Sequence, residues 1–225
     1  MSFELDLIEF DKLKRINVDG KRMYLTEGSD EPYPSVTTIT SLQSREAIRR
    51  WRERVGAATA NRITTQAANR GTSAHKLIED YIVGKESTSE NPVATDLFLQ
   101  LKKQADEMIT GPIRAIEAQM SSKYLRAAGT VDCVAEIDGK LSIVDWKTSK
   151  KPKQRSYCYG YFMQAAAYAV MFEENTGIPV SQLVIIGSSE EGAPWQFIEK
   201  RDGWIQAFMD LRKLFDEENR SKSTS

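Results

Sequence analysis

Hydrophobic and polar positions change rhythm near Pro112. Before it, apolar residues mostly recur at helical spacing; after it, short β-branched runs are separated by single helices. Residues 15–27 are the exception in the first half, two short runs about Asp19-Gly20 that predict a hairpin. A helical region opens within 33–40, and residues 44–69 continue it in an Ala- and Arg-rich stretch. Gly71-Thr72-Ser73 reads as punctuation, with Thr72 or Ser73 capping a further helix to about Val83. A polar loop over 86–92 precedes an amphipathic helix over 93–109. Beyond Pro112 the pattern predicts strands 113–120, 129–137 and 140–147, a helix over 157–175, strands 180–187 and 194–199, a helix over 202–219 and a frayed tail, 220–225. The expected fold class is α/β: one domain, 1–225, in which a mainly helical part (1–110) wraps an αβββαβ core with a mixed central sheet (111–219).

The strands at 129–137 and 140–147 carry the chemistry. Asp138-Gly139 between them suits a two-residue type I′ turn, which pairs Ile137 with Lys140 and sets the register of the whole hairpin. That register places Asp132 directly across from Asp145, and period-2 alternation puts Lys147 on the face of Asp145. Two opposed carboxylates repel, and a divalent cation between them turns the penalty into a binding site. Acid-x-Lys triplets are common by chance, roughly two in a chain of this composition. Asp138-x-Lys140 is a turn and explains itself. Asp145-x-Lys147 follows the apolar Ile143-Val144, where an unpaired charge is costly, and is the one to credit.

Other residues add to it. His75 is the single histidine, four residues before Glu79 and on its helical face. Gln164 and Tyr168 share a face of the helix after the hairpin. Lys150, Lys151, Lys153 and Arg155 lead into Tyr157, Tyr159 and Tyr161, while Arg45, Arg49, Arg50, Trp51 and Arg52 form a second basic and aromatic cluster. Cations beside aromatics neutralise phosphates and stack bases, so both clusters are candidates for binding single-stranded nucleic acid.

Composition narrows the classes. Net charge is −1 and the sequence pI about 6.0, so any nucleic-acid surface must be local. No apolar run approaches a membrane span, and the first ten residues lack the pattern of a signal or transit peptide. The expected location is the cytoplasm of a bacterium or of a phage-infected cell. Cys133 and Cys158 form neither a zinc set nor the four-cysteine set of an iron–sulfur cluster.

Read in order, Gly71-Thr72-Ser73-Ala74-His75, Gly129-Thr130-Val131-Asp132, Val144-Asp145-Trp146-Lys147-Thr148 and Gln164-x-x-x-Tyr168 resemble the RecB-like branch of the PD-(D/E)XK nuclease superfamily. Pro34-Ser35-Val36-Thr37 is similar to the lead-in of mitochondrial genome maintenance exonucleases and their phage relatives. The resemblance implies a restriction-endonuclease-like core and Mg²⁺- or Mn²⁺-dependent cleavage of DNA, by one or two ions. It implies Asp132, Asp145 and His75 as metal ligands with the Trp146 carbonyl, Lys147 as the group that orients water, and Gln164 and Tyr168 beside DNA. Lys150, Lys151, Arg50 and Trp51 complete the expected DNA contacts, and Glu117, on the preceding strand, ranks second among the acids. The expected function is an exonuclease preferring single strands or ends, in DNA recombination or repair, with a single-strand-binding or recombination protein as partner. The rivals are a structure-specific or restriction-like endonuclease and a non-catalytic DNA-binding module.

Overall fold

Asp138 and Gly139 both take positive φ, 51° and 70°, and the hairpin they close pairs Ile137 with Lys140 as the turn chemistry requires. It is the centre of the computed structural model, which describes residues 2–223 apart from 27 and 30, with side chains to 220. The predicted hairpin end at Glu27 and the tail residues 224–225 lie outside the described residues. Three short strands, β1 (Lys14–Val18), β2 (Lys21–Leu25) and β3 (Tyr33–Pro34), form a small antiparallel sheet. Helices α1 (Val36–Val55), α2 (Ala57–Ile82) and α3 (Pro92–Met108) follow. The main sheet comprises β4 (Ile109–Ser122), β5 (Ala127–Ile137), β6 (Lys140–Ser149), β7 (Gln182–Ser189) and β8 (Trp195–Lys200), side by side in that order. Helix α4 (Tyr159–Thr176) crosses from β6 to the parallel β7, every other pair is antiparallel, and α5 (Ile205–Ser223) closes the chain.

Both faces of the sheet are buried. Ile143, Leu183 and Ile185 pack towards α4, α1 and α5 around Phe162, Phe172 and Phe208, while Val144, Val184 and Ile186 pack towards α2 and α3 around Ile78 and Leu101. That explains the unbroken apolar run of β7, since a strand covered on both sides has no polar face. The fold is the mixed-sheet α/β architecture that the pattern predicts.

Three expectations change. Gly71 does not end a helix: α2 runs through it, and the break falls at Gly56. The glycine serves close packing instead, since a Cβ there would come within 3.2 Å of the Thr148 Oγ1 on β6. His75 is therefore deep in α2 rather than in a first turn. Strand β4 begins four residues earlier than predicted, at Ile109, and α5 continues to Ser223 through what reads as a tail. Third, the β5–β6 ladder stops at Cys133–Val144, one pair short of the aspartates. Directly opposed carboxylates would repel, and Asp132 instead accepts a 2.9 Å hydrogen bond from the Trp146 backbone N–H.

Candidate active site

Where β5 and β6 part, β4 bends. The pairs Ile116–Cys133 and Ala118–Val131 bracket Glu117 opposite Asp132, and Glu117 has φ 46°, a left-handed conformation that costs a non-glycine residue about 1–3 kcal/mol. Helix α2 brings His75 over the same point. One donor atom from each of His75, Glu117 and Asp132 lies within 4.8 Å of the others. They open on a cavity of about 600 Å³ walled by α2, α4, β4, β5 and the β1–β2 hairpin.

Asp145 and Lys147 lie beneath this cluster. Asp145 is 1% exposed; its Oδ1 accepts a 2.9 Å hydrogen bond from Gln164 Nε2, and its Oδ2 meets the Lys147 ammonium at 2.5 Å without hydrogen-bond geometry. Gln164 thus orients the carboxylate from α4. The Lys147 ammonium also lies 5.0 Å from the Tyr161 ring centroid, on the same helix. Tyr168, one turn beyond Gln164, lies across Gly129 so closely that a Cβ there would come within 2.9 Å of its hydroxyl.

The electrostatics are those of too much negative charge in too little water. Crowding by protein, then the Asp132 carboxylate, push Glu117 up to about 8, although its edge is open to the cavity. Burial raises Asp145 to about 6, with Asp132 adding to it and Lys147 opposing. Burial raises Asp132 as well, against the pull of Lys147 and the Trp146 N–H. Burial and then the Lys147 charge push His75 down to about 4, so near neutral pH its imidazole is uncharged and can act as a ligand. Burial works against the charge on Lys147, yet Asp145 and Asp132 together hold its pKa above the ordinary value. Two carboxylates and a neutral imidazole with donor atoms within 4.8 Å of one another are a donor set that fits a hard or borderline divalent cation.

This fixes the sign of a pH effect. Glu117 holds its proton to about 8 in the fold against an ordinary 4.5, so protonation favours the folded metal-free chain below that ordinary value, and the advantage is lost as pH rises through about 8. Thermal melts in chelator are expected to fall across that window, and melts with excess Mn²⁺ to fall much less, because the cation takes the place of the proton. Parallel pH curves with and without Mn²⁺ would remove the cation from this cluster.

The remaining predicted residues are elsewhere. Lys150 and Lys151 line a separate depression of about 620 Å³ with Tyr157 and Tyr161, beyond the end of β6, and Lys150 pairs with Glu191 at 3.2 Å. Arg50 and Trp51 lie on the outer part of α1, where Arg50 pairs with Glu46 at 2.9 Å. Glu117, second among the acids by sequence, lies in the cluster with His75 and Asp132, and Arg15 and Arg22, which the sequence did not single out, line the same cavity from the small sheet. An acid on the strand before the hairpin is all that marks Glu117 in the sequence, and no local signal marks the two arginines.

Residues 41–219 match the PD-(D/E)XK nuclease superfamily, most of the chain and every element of the site from α2 to α4. The chain belongs to the PD-(D/E)XK nuclease superfamily. Its curated relatives include mitochondrial genome maintenance exonuclease 1 of Xenopus tropicalis, 27% identical over 208 residues, 86% of this chain and 58% of that protein. The proteins of the same name from Homo sapiens and Mus musculus are 27% and 29% identical, each over 72% of this chain and 50% and 51% of their own lengths. The chain thus spans about half the length of these relatives. Within the matched residues, Asp132 and the Asp145–Lys147 pair lie on the β5–β6 hairpin, and His75 and Glu117 meet Asp132 from outside it.

Proposed function

We propose that this chain is a divalent-metal-dependent exodeoxyribonuclease acting on single strands or DNA ends. The observation that carries the reading is the convergence of His75, Glu117 and Asp132 within 4.8 Å, above a carboxylate–lysine pair that Gln164 orients. His75, Glu117 and Asp132 would hold the ion, with Asp145 beneath. A bound Mg²⁺ or Mn²⁺ supplies Lewis acidity to the scissile phosphate and lowers the pKa of a bound water. Lys147 stays protonated between two acids, so its ammonium can orient a water and offset charge that develops on the phosphate oxygens. Neutral His75 leaves the cluster's negative charge to the carboxylates. The Tyr168 hydroxyl, kept protonated by burial and by the nearby aspartates, can donate to a phosphate or base at the cavity wall.

The projecting helices support action at ends. Residues 57–69 of α2 are exposed apart from Ala60, so this half packs on little of its own molecule. The start of α1 is seated on α4 and α5 and the end of α2 on α3 and β6, so the pair bridges two sides of the cavity. Between Arg54 and Ile78 there is no acidic residue. A strand passing beneath such a bridge meets amides, hydroxyls and cations rather than carboxylates. The names of the curated relatives include exonuclease, which agrees with this reading.

The test compares linear with covalently closed circular single-stranded DNA of equal length, with Mg²⁺ and with Mn²⁺. Linear strands are expected to be degraded from an end and circles to persist at least about 10-fold longer. Circles lost at the linear rate would favour an endonuclease on the same core.

A further inference from the structure

We infer that Arg15 and Arg22 of the β1–β2 hairpin form a phosphate clamp, binding the strand's phosphodiester groups beside the one being cut. This rests on the nuclease reading above and adds to it a binding subsite on a different part of the chain. The register pairs Arg15 with Tyr24 and Asn17 with Arg22, so all four residues share one face of the hairpin, with the two arginines diagonal across it. Arg15, Arg22 and Tyr24 line the cavity that holds His75, Glu117 and Asp132, while Lys21 and Met23, on the opposite face, line another.

The hairpin is held in place against the site. Tyr24 is 2% exposed, and the Arg22 carbonyl accepts a 2.9 Å hydrogen bond from the Ser35 N–H, where α1 begins. The guanidinium groups therefore stand on a rigid base, as a clamp requires. Both side chains are exposed, and among the described residues neither makes an ion pair. That separates them from the obvious basic patch. Arg45, Arg49 and Arg50 on α1 are already neutralised by Glu218, Glu46 and Glu53.

Across the same cavity stand the carboxylates Glu117 and Asp132 with His75. A polyanion entering it would be repelled by that wall in the absence of cations on the other. Two unpaired guanidiniums supply them, and their planar fork suits phosphate oxygens. They read backbone rather than base edges, so the contact is indifferent to sequence.

The experiment uses the full chain and its Arg15→Gln/Arg22→Gln double variant, with Lys140→Gln/Lys213→Gln as a control of equal charge change away from the cavity. On single-stranded DNA the first variant is expected to raise KM about 10- to 100-fold, two charge-assisted contacts being lost, with kcat within about threefold. The log–log salt dependence of binding should flatten by about 1.4, at roughly 0.7 per single-strand phosphate contact. Arg15→Lys/Arg22→Lys should restore that slope while leaving part of the KM defect, because lysine keeps charge and loses the fork. An unchanged melting temperature would confirm that the exposed substitutions leave the fold intact. If wild type cleaves DNA and the glutamine variant keeps its KM and salt slope, or matches the lysine control, the clamp is overturned and the nuclease reading stands. If wild type neither binds nor cleaves DNA, both fall.

Discussion

Asp145→Asn is expected to lower DNA hydrolysis by about 10³-fold or more at saturating Mg²⁺ or Mn²⁺, while DNA binding stays within about threefold of wild type. The change is isosteric, so the substrate surface is unaltered, and the amide oxygen can still accept from Gln164 Nε2, now 2.9 Å from Oδ1. The other half of the new amide fails. Its NH₂ would face the Lys147 ammonium, which lies 2.5 Å from Oδ2, and a donor would meet a donor in a buried place. Lys147 then loses the first of the two charges that keep it protonated against burial, with Asp132 alone remaining. One substitution thus removes negative charge beside the candidate metal cluster and loosens Lys147, the group proposed to orient water. Turnover measured across a metal titration, beside filter binding in chelator, checks it. A variant that keeps more than about a tenth of wild-type rate would show that the carboxylate is structural.

The second large effect is expected at Glu117, an acid that lies outside the two motif strands. Glu117→Gln should raise the Mn²⁺ concentration for half-maximal activity about 100-fold, with part of the rate recovered at high metal. The same variant should flatten the pH dependence of the metal requirement, because the group whose pKa is pushed up to about 8 is gone. Glu117→Gly is the informative companion. It removes the ligand and also relieves the left-handed φ of 46°, so activity should fall while the melting temperature holds or rises. A site residue that stores strain shows this opposition of stability and function; an ordinary strand acid does not. A change of less than about twofold in the metal requirement of Glu117→Gln would return the metal to His75, Asp132 and Asp145.

What the sequence by itself determined follows from local rules. Asp138-Gly139 dictates its turn because both positions need φ above zero, and the turn then sets a register that pairs Ile137 with Lys140 and Cys133 with Val144. The order of strands and helices after residue 109 is written in the switch between period 2 and period 3.6. The triplet Asp145-x-Lys147 stands out because charge after a buried run demands a partner, and the partner is Lys147 itself. The tertiary structure decided the rest. Gly71 reads as a helix end, and only the packing of α2 against Thr148 explains a glycine within a continuous helix. Asp132 and Asp145 read as a facing pair, yet the ladder ends one pair short of them and Asp132 accepts from the Trp146 backbone N–H instead. Glu117, which has a left-handed φ of 46°, meets His75 only because the fold brings β4 and α2 together, and neither that conformation nor that meeting is written in its own segment. Arg15 and Arg22 face the carboxylates across more than 90 residues of chain, a distance no periodicity spans. Local propensity names the elements; the charges that meet in the cavity are chosen by how those elements pack.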